Sequence, residues 1–117
     1  MNRITARSLV WFAAVVPVAA TPVAAQTQPD QISPEWTLCA NEGRVYAPDI
    51  VADGCSAVIR SGNRPPRELA VAYTNRGLAY RATGQFDRAM ADYEAAIKTD
   101  PQYAPAFNNR GAAYRDR

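Results

Sequence analysis

Apolar and polar positions recur at helical spacing through much of the chain. Ile50 and Val51, Cys55, and Val58 and Ile59 fall at four-residue steps, and Gly62 follows as a stop. This predicts a helix over 49–61. Tyr73, Gly77 and Tyr80 share one face of a second helix, predicted over 66–83, with Pro66 at its start and Gly84 as a left-handed cap. Phe86, Ala89, Met90, Tyr93 and Ile97 line a third, predicted over 86–98. A fourth runs from 104 to the end, with Pro105 tolerable only in its first turn. Upstream, Ser33 and Pro34 can open a short turn of helix whose apolar side is Trp36, Leu38 and Cys39. Gly43 and Pro48 limit how far it can run.

The pattern also repeats. Residues 72–81 return at 106–115, offset by 34 at every position, and seven of the ten are identical. Tyr73 has a near match in Phe107. A fixed period of this size marks stacked repeat units. A fainter echo precedes them: Cys39, Gly43 and Cys55 lie 34 residues before Tyr73, Gly77 and Ala89. Residues 36–66 thus read as a degenerate first repeat, with a damaged first helix and a proline-stiffened loop.

These residues resemble the tetratricopeptide repeat, a helix–turn–helix unit of 34 residues. Gly77 and Tyr80 match its first helix, Ala89, Tyr93 and Ala96 its second, and Pro101 its closing turn. Tyr73 stands where the family has Trp, and Arg76 where it has Leu. A chance pair of amphipathic helices would not agree at so many spaced sites. The resemblance implies an all-α fold, helix–turn–helix repeats stacked as a short solenoid. Its complete repeat spans 67–103, and 104–117 supplies the first helix of a second, truncated one. The packing positions are Tyr73, Gly77, Tyr80, Phe86, Ala89, Tyr93, Phe107, Gly111 and Tyr114. Gly77 costs about 1 kcal/mol inside a helix, so close approach of a neighbouring backbone is its natural reason.

The resemblance further implies a concave groove for a protein or peptide, lined by Thr74, Asn75, Leu78, Arg81, Asn108, Asn109, Ala112 and Arg115. Asparagine can both donate to and accept from a peptide backbone, and arginine can receive an acidic side chain. Plain solvent exposure explains these asparagines equally well. The lysines of carboxylate-clamp members are absent. The last helix has no second helix to cover Gly111 or Tyr114, which predicts either a longer parent chain or self-association through Phe107, Gly111 and Tyr114.

Composition narrows the function further. The 117 residues include 13 basic and 11 acidic side chains and no histidine. Arg3 and Arg7, the apolar run 9–20 and Val23-Ala24-Ala25 read as a signal peptide over 1–25, cleaved before Gln26. The apolar run contains Pro17 and is shorter than the ~20 residues of a spanning helix, so no membrane anchor is expected. A flexible leader over 26–35 follows. Cleavage leaves 11 basic against 11 acidic residues, with no basic patch for nucleic acid. Two cysteines behind an export signal read as a Cys39–Cys55 disulfide in a periplasmic or secreted protein. A redox-active thiol pair is the competing reading, although the C-x-x-C spacing is missing. No metal site, cofactor or catalytic residue is expected, because no nucleophile–base pair, phosphate loop or ligand cluster stands out. Arg76 and Arg110 each call for a carboxylate, and Asp92 could meet either. The sequence reads as an exported, non-enzymatic binding scaffold for an unidentified protein or peptide. The rivals are a fragment of a longer chain that carries an enzymatic part, and a purely structural spacer.

Overall fold

Proline and left-handed turns set the helix limits. A computed structural model describes residues 33–116. The signal peptide expected over 1–25 and most of the leader expected over 26–35 lie outside the described residues. The described residues form five helices: α1 (Pro34–Ala40), α2 (Pro48–Ser61), α3 (Pro66–Ala82), α4 (Phe86–Thr99) and α5 (Ala104–Arg115). A single 3-10 turn, Glu42–Arg44, separates α1 from α2. Proline occupies the first turn of α1, α2, α3 and α5, where its missing N–H leaves no bond unmade. Gly62 and Gly84 adopt φ of 64° and 77°, which carry the chain out of α2 and α3 at no steric cost. The architecture is all-helical among these residues, as expected.

The leader assigned to 26–35 is shorter than its predicted limit. The Ser33 hydroxyl accepts the Trp36 N–H at 3.1 Å, and Pro34 and Glu35 already belong to α1. Helix α1 stops at Asn41, in left-handed conformation with φ 46°. Asn41 then accepts the Tyr46 N–H through its side-chain oxygen at 2.9 Å, which fixes the turn into α2.

Small residues let the helices approach. A Cβ on Gly77 would lie 2.6 Å from the ring of Tyr93, so α3 and α4 meet only because none is there. A Cβ on Gly54 would lie 2.7 Å from that of Leu38, and α1 rests on α2 by the same device. The repeat register had pointed to Gly43 as the counterpart of Gly77. Gly43 instead sits exposed in the turn with φ 77°, and Gly54 makes the close contact. Cys39 and Cys55 are paired across the same contact, with Cα atoms 4.5 Å apart, a spacing suited to a disulfide.

Three apolar clusters follow the stack. Cys39, Val51, Cys55, Val58, Ala72 and Ala79 join α1, α2 and α3. Ala70, Ala96 and Ala106, with Tyr73, Ile97 and Tyr103 against them, join α3, α4 and α5. Ala89, Tyr93 and Ala113, flanked by Tyr80 and Met90, close the far end. Tyr93 is fully buried and burial pushes its hydroxyl pKa up; that oxygen finds no hydrogen-bond partner among the described residues. Two ion pairs clamp the ends of α3. Arg67 bonds Asp100 ahead of α5, and Arg81 bonds Asp116 just beyond it at 2.5 Å.

Candidate protein-binding surface

Helix α3 touches α1 on one side and α5 on the other, while α2 and α4 pack behind it. The left-handed turn through Asn41, Gly43 and Arg44 lifts the chain away from α3 before α2 begins. This opens a cleft of about 360 Å3 between α1, the turn and α3. Val51, Leu78, Ala79 and Ala82 form its apolar floor, with Asn75, Tyr46 and Arg44 around them. Arg44 is exposed and makes no ion pair among the described residues.

The residues expected to line a groove separate into those at this cleft and those turned elsewhere. Leu78 is half-buried in the cleft wall. Asn75 also borders it, but its amide N–H group already donates to the carbonyls of Cys39 and Ala40 at 2.9 and 3.3 Å. That side chain holds the end of α1 on α3, because the last carbonyls of a helix lack intrahelical partners. Thr74 is a correction: it is 1 % exposed, and its hydroxyl donates to the Ala70 carbonyl one turn back. It cannot reach a ligand. Arg81 is a second correction, since Asp116 of the same chain fills the place expected for an acidic ligand and raises the Arg81 pKa. Asn109 donates to the Pro105 carbonyl of its own helix at 2.8 Å. Asn108 and Arg115 are exposed, and Ala112 is half-buried. Arg115 bends back toward Gly111, where an added Cβ would meet its Nη1 at 3.9 Å.

Asp92 selects Arg76, not Arg110. Arg76 donates to both carboxylate oxygens, Nε at 2.8 Å and Nη2 at 2.7 Å, and reaches Ser56 of α2 with Nη1 at 3.1 Å. Its planar fork spans three helices, and the rings of Tyr73 and Tyr80 lie beside it, each 5.7 Å away. The hydrogen bonds to Asp92 raise the Arg76 pKa against the opposing effect of burial. Arg110 stacks on Phe107 at 5.6 Å and has no carboxylate among the described residues.

The packing residues divide along the same line. Tyr73, Gly77, Tyr80, Phe86, Ala89 and Tyr93 are buried or half-buried, whereas Phe107 and Tyr114 are 41 % and 54 % exposed. Among the described residues no group of side chains could hold a metal ion, and no helix is long and apolar enough to cross a membrane.

Comparison with known proteins finds a sequence match over the second half of these elements. The TPR repeat family model matches residues 69–116. The chain carries a TPR repeat. The matched stretch covers α3, α4 and α5 and excludes the two disulfide-paired helices. The tetratricopeptide repeat domain-containing protein PYG7, chloroplastic, of Arabidopsis thaliana is 35 % identical over 51 residues, which cover 44 % of this chain. The chain spans only 17 % of that relative's length. No solved structure matches. Within the TPR frame, α3 and α5 are first helices and α4 is the second helix between them. The cleft lies where the TPR meets the α1–α2 pair, so six of its ten lining residues fall outside the family match.

Sequence reasoning missed Arg44 and Tyr46, which form that outer wall. Asn41 and Gly43 were the available signal, since both residue types tolerate the left-handed conformation that opens the cleft.

Proposed function

We propose that the protein is an exported, non-catalytic binding module that takes a peptide segment in the α1–α3 cleft. TPR repeats generally mediate contacts between proteins, and a fold alone does not say which. The carrying observation is the apolar floor at Leu78 and Val51 with the Arg44 guanidinium beside it. Such a site fits an apolar side chain next to a carboxylate, either an acidic residue or a chain terminus. Exposed charge contacts are weak, so affinity should be about micromolar. Arg3, Arg7 and the apolar run after them support export, and the lack of histidine excludes a histidine-based catalytic group.

Panning a random peptide library against the oxidised full chain tests this. Enriched peptides should pair an apolar residue with an acid. Leu78→Asp should abolish their binding and Arg44→Glu should weaken it, while the helical circular dichroism stays unchanged. Peptides that bind both variants as tightly as the parent would remove the cleft from consideration. Intact-mass analysis of exported protein checks the first clause, with an N-terminus at Gln26 expected.

A further inference from the structure

Helix α1 and the turn after it enclose a second hollow of about 200 Å3. It shares Ala40 and Tyr46 with the α1–α3 cleft but is lined by no residue of α3. Trp36, Thr37, Glu42 and Val45 complete its walls. Trp36 and Tyr46 are half-buried and pack on the apolar cluster of α1, α2 and α3, which holds their rings in place. Val45 is left 71 % exposed. Three left-handed residues, Asn41, Gly43 and Arg44, shape the turn. It sends Arg44 to the cleft and Glu42 to this hollow. Glu42 is exposed, and its carboxylate forms no ion pair among the described residues.

We infer that this hollow receives an arginine side chain of a partner protein, its guanidinium against the Trp36 and Tyr46 rings and paired with Glu42. Aromatic faces attract a cation, and a carboxylate beside them adds charge-assisted hydrogen bonds. The chain already uses Trp36 in this way: Arg64 lies 4.7 Å over its ring, and Glu68 holds that guanidinium at 2.9 Å. Glu68 also offsets the charge of Arg64, so a second cation nearby meets little repulsion. The hollow is smaller than the ~300 Å3 of an ordinary small-molecule pocket, which suits a single side chain. Arginine fits better than lysine, because its planar, weakly hydrated fork both stacks on rings and grips a carboxylate. The Thr37 hydroxyl donates to the Ser33 carbonyl at 3.3 Å, and its lone pairs remain to accept a further N–H. The leader expected over 26–35 contains no lysine or arginine, so it does not supply the cation. The hollow stands whether or not the α1–α3 cleft binds a peptide.

The test titrates the oxidised full chain with capped arginine (acetyl-arginine amide), followed by nuclear magnetic resonance. One partly exposed contact is weak, so saturation should come at about millimolar ligand. The Trp36 indole N–H and the amides of Glu42, Val45 and Tyr46 should shift. Glu42→Gln should weaken binding about fivefold, and capped citrulline, which is neutral, should bind the parent as weakly. Glu42 has no ion pair to lose, so the variant should melt as the parent does. Glu94→Gln, an exposed acid on α4, and Leu78→Asp in the cleft should leave arginine binding unchanged. Absence of a saturable shift overturns the inference, as does equal binding of citrulline or tighter binding of capped lysine. An equal loss with Glu94→Gln would mean diffuse attraction, and a loss with Leu78→Asp would move the ligand to the cleft; either overturns it. Shifts of the same four residues on concentrating the ligand-free chain would give the hollow to a second copy and overturn it too.

Discussion

Helices α3 and α5 carry nearly the same ten residues and live in different surroundings. Gly77 is buried against Tyr93, while Gly111 meets only the end of Arg115. Arg76 is held by Asp92 and Ser56, while Arg110 rests on Phe107. Asn75 reaches across to α1, while Asn109 folds back onto its own helix. The motif fixes a helix with a packing face. What that face does depends on whether a second helix lies over it. Among the described residues, one copy is therefore part of the core and the other lies uncovered.

The largest expected effect comes from removing the acid that distinguishes them. Asp92→Ala strands a half-buried guanidinium and should cost about 3 kcal/mol. Arg110→Ala should change stability by no more than about 0.5 kcal/mol, since Arg110 holds no ion pair among the described residues and only rests on the exposed Phe107 ring. Urea denaturation of the two variants reads both numbers. Equal losses would mean that α5 is covered in solution after all.

The next test strips α3 of its second neighbour. Cys39 and Cys55 are separated by 16 in sequence, and a bridge closing such a loop is worth about 3 kcal/mol or less in the chain-entropy model. Reduction should lower the melting temperature and speed amide exchange through α1 and the turn after it, leaving α4 and α5 least affected. Two free thiols under non-reducing alkylation would remove the bridge altogether.

The glycines give a signed comparison. Gly77→Ala forces the buried Tyr93 ring to move and should destabilise by about 1–3 kcal/mol. Gly111→Ala meets no tight contact and should stabilise by up to about 1 kcal/mol through helix propensity. Thermal melts that move in the same direction would contradict the contrast between the two faces.

The smallest effect concerns the clamp that ties α3 to the start of α5. Arg67 and the Gln102 N–H hold the Asp100 carboxyl below its usual pKa. A depressed folded value means that this contribution is complete above the unfolded pKa of about 3.9 and is lost as pH falls through the folded value. Asp100→Asn should therefore remove a small contribution at neutrality, small because the pair is exposed, and flatten the acid limb of the stability–pH curve below about pH 4 by the same amount. An acid limb as steep as the parent's would assign the acid sensitivity to other carboxylates.

Much of the fold was legible because its signals are local. Pro66, Gly84 and Pro105 act through their own backbone angles, so the predicted helices end within a residue or two of the observed ones. The repeat offset carried the packing face from one helix to the next. The site was less legible. Thr74 turned out to be buried and Arg81 engaged by Asp116, because the residues that cover or pair with them sit elsewhere in the chain. The role of Gly54 was invisible too, since only the path of α1 makes its missing Cβ matter.

The amino-acid order by itself determined where helices start and stop, the 34-residue period, the cysteine pair and the need of each arginine for an acid. Each of these follows from a residue and its near neighbours, or from one segment compared with another. The tertiary structure alone decided which arginine received Asp92, which copy of the motif became surface, and that a left-handed turn would open a cleft against α3. Those outcomes depend on distances between segments 16 to 36 residues apart, set by how helices stack, and no single position in the chain carries them.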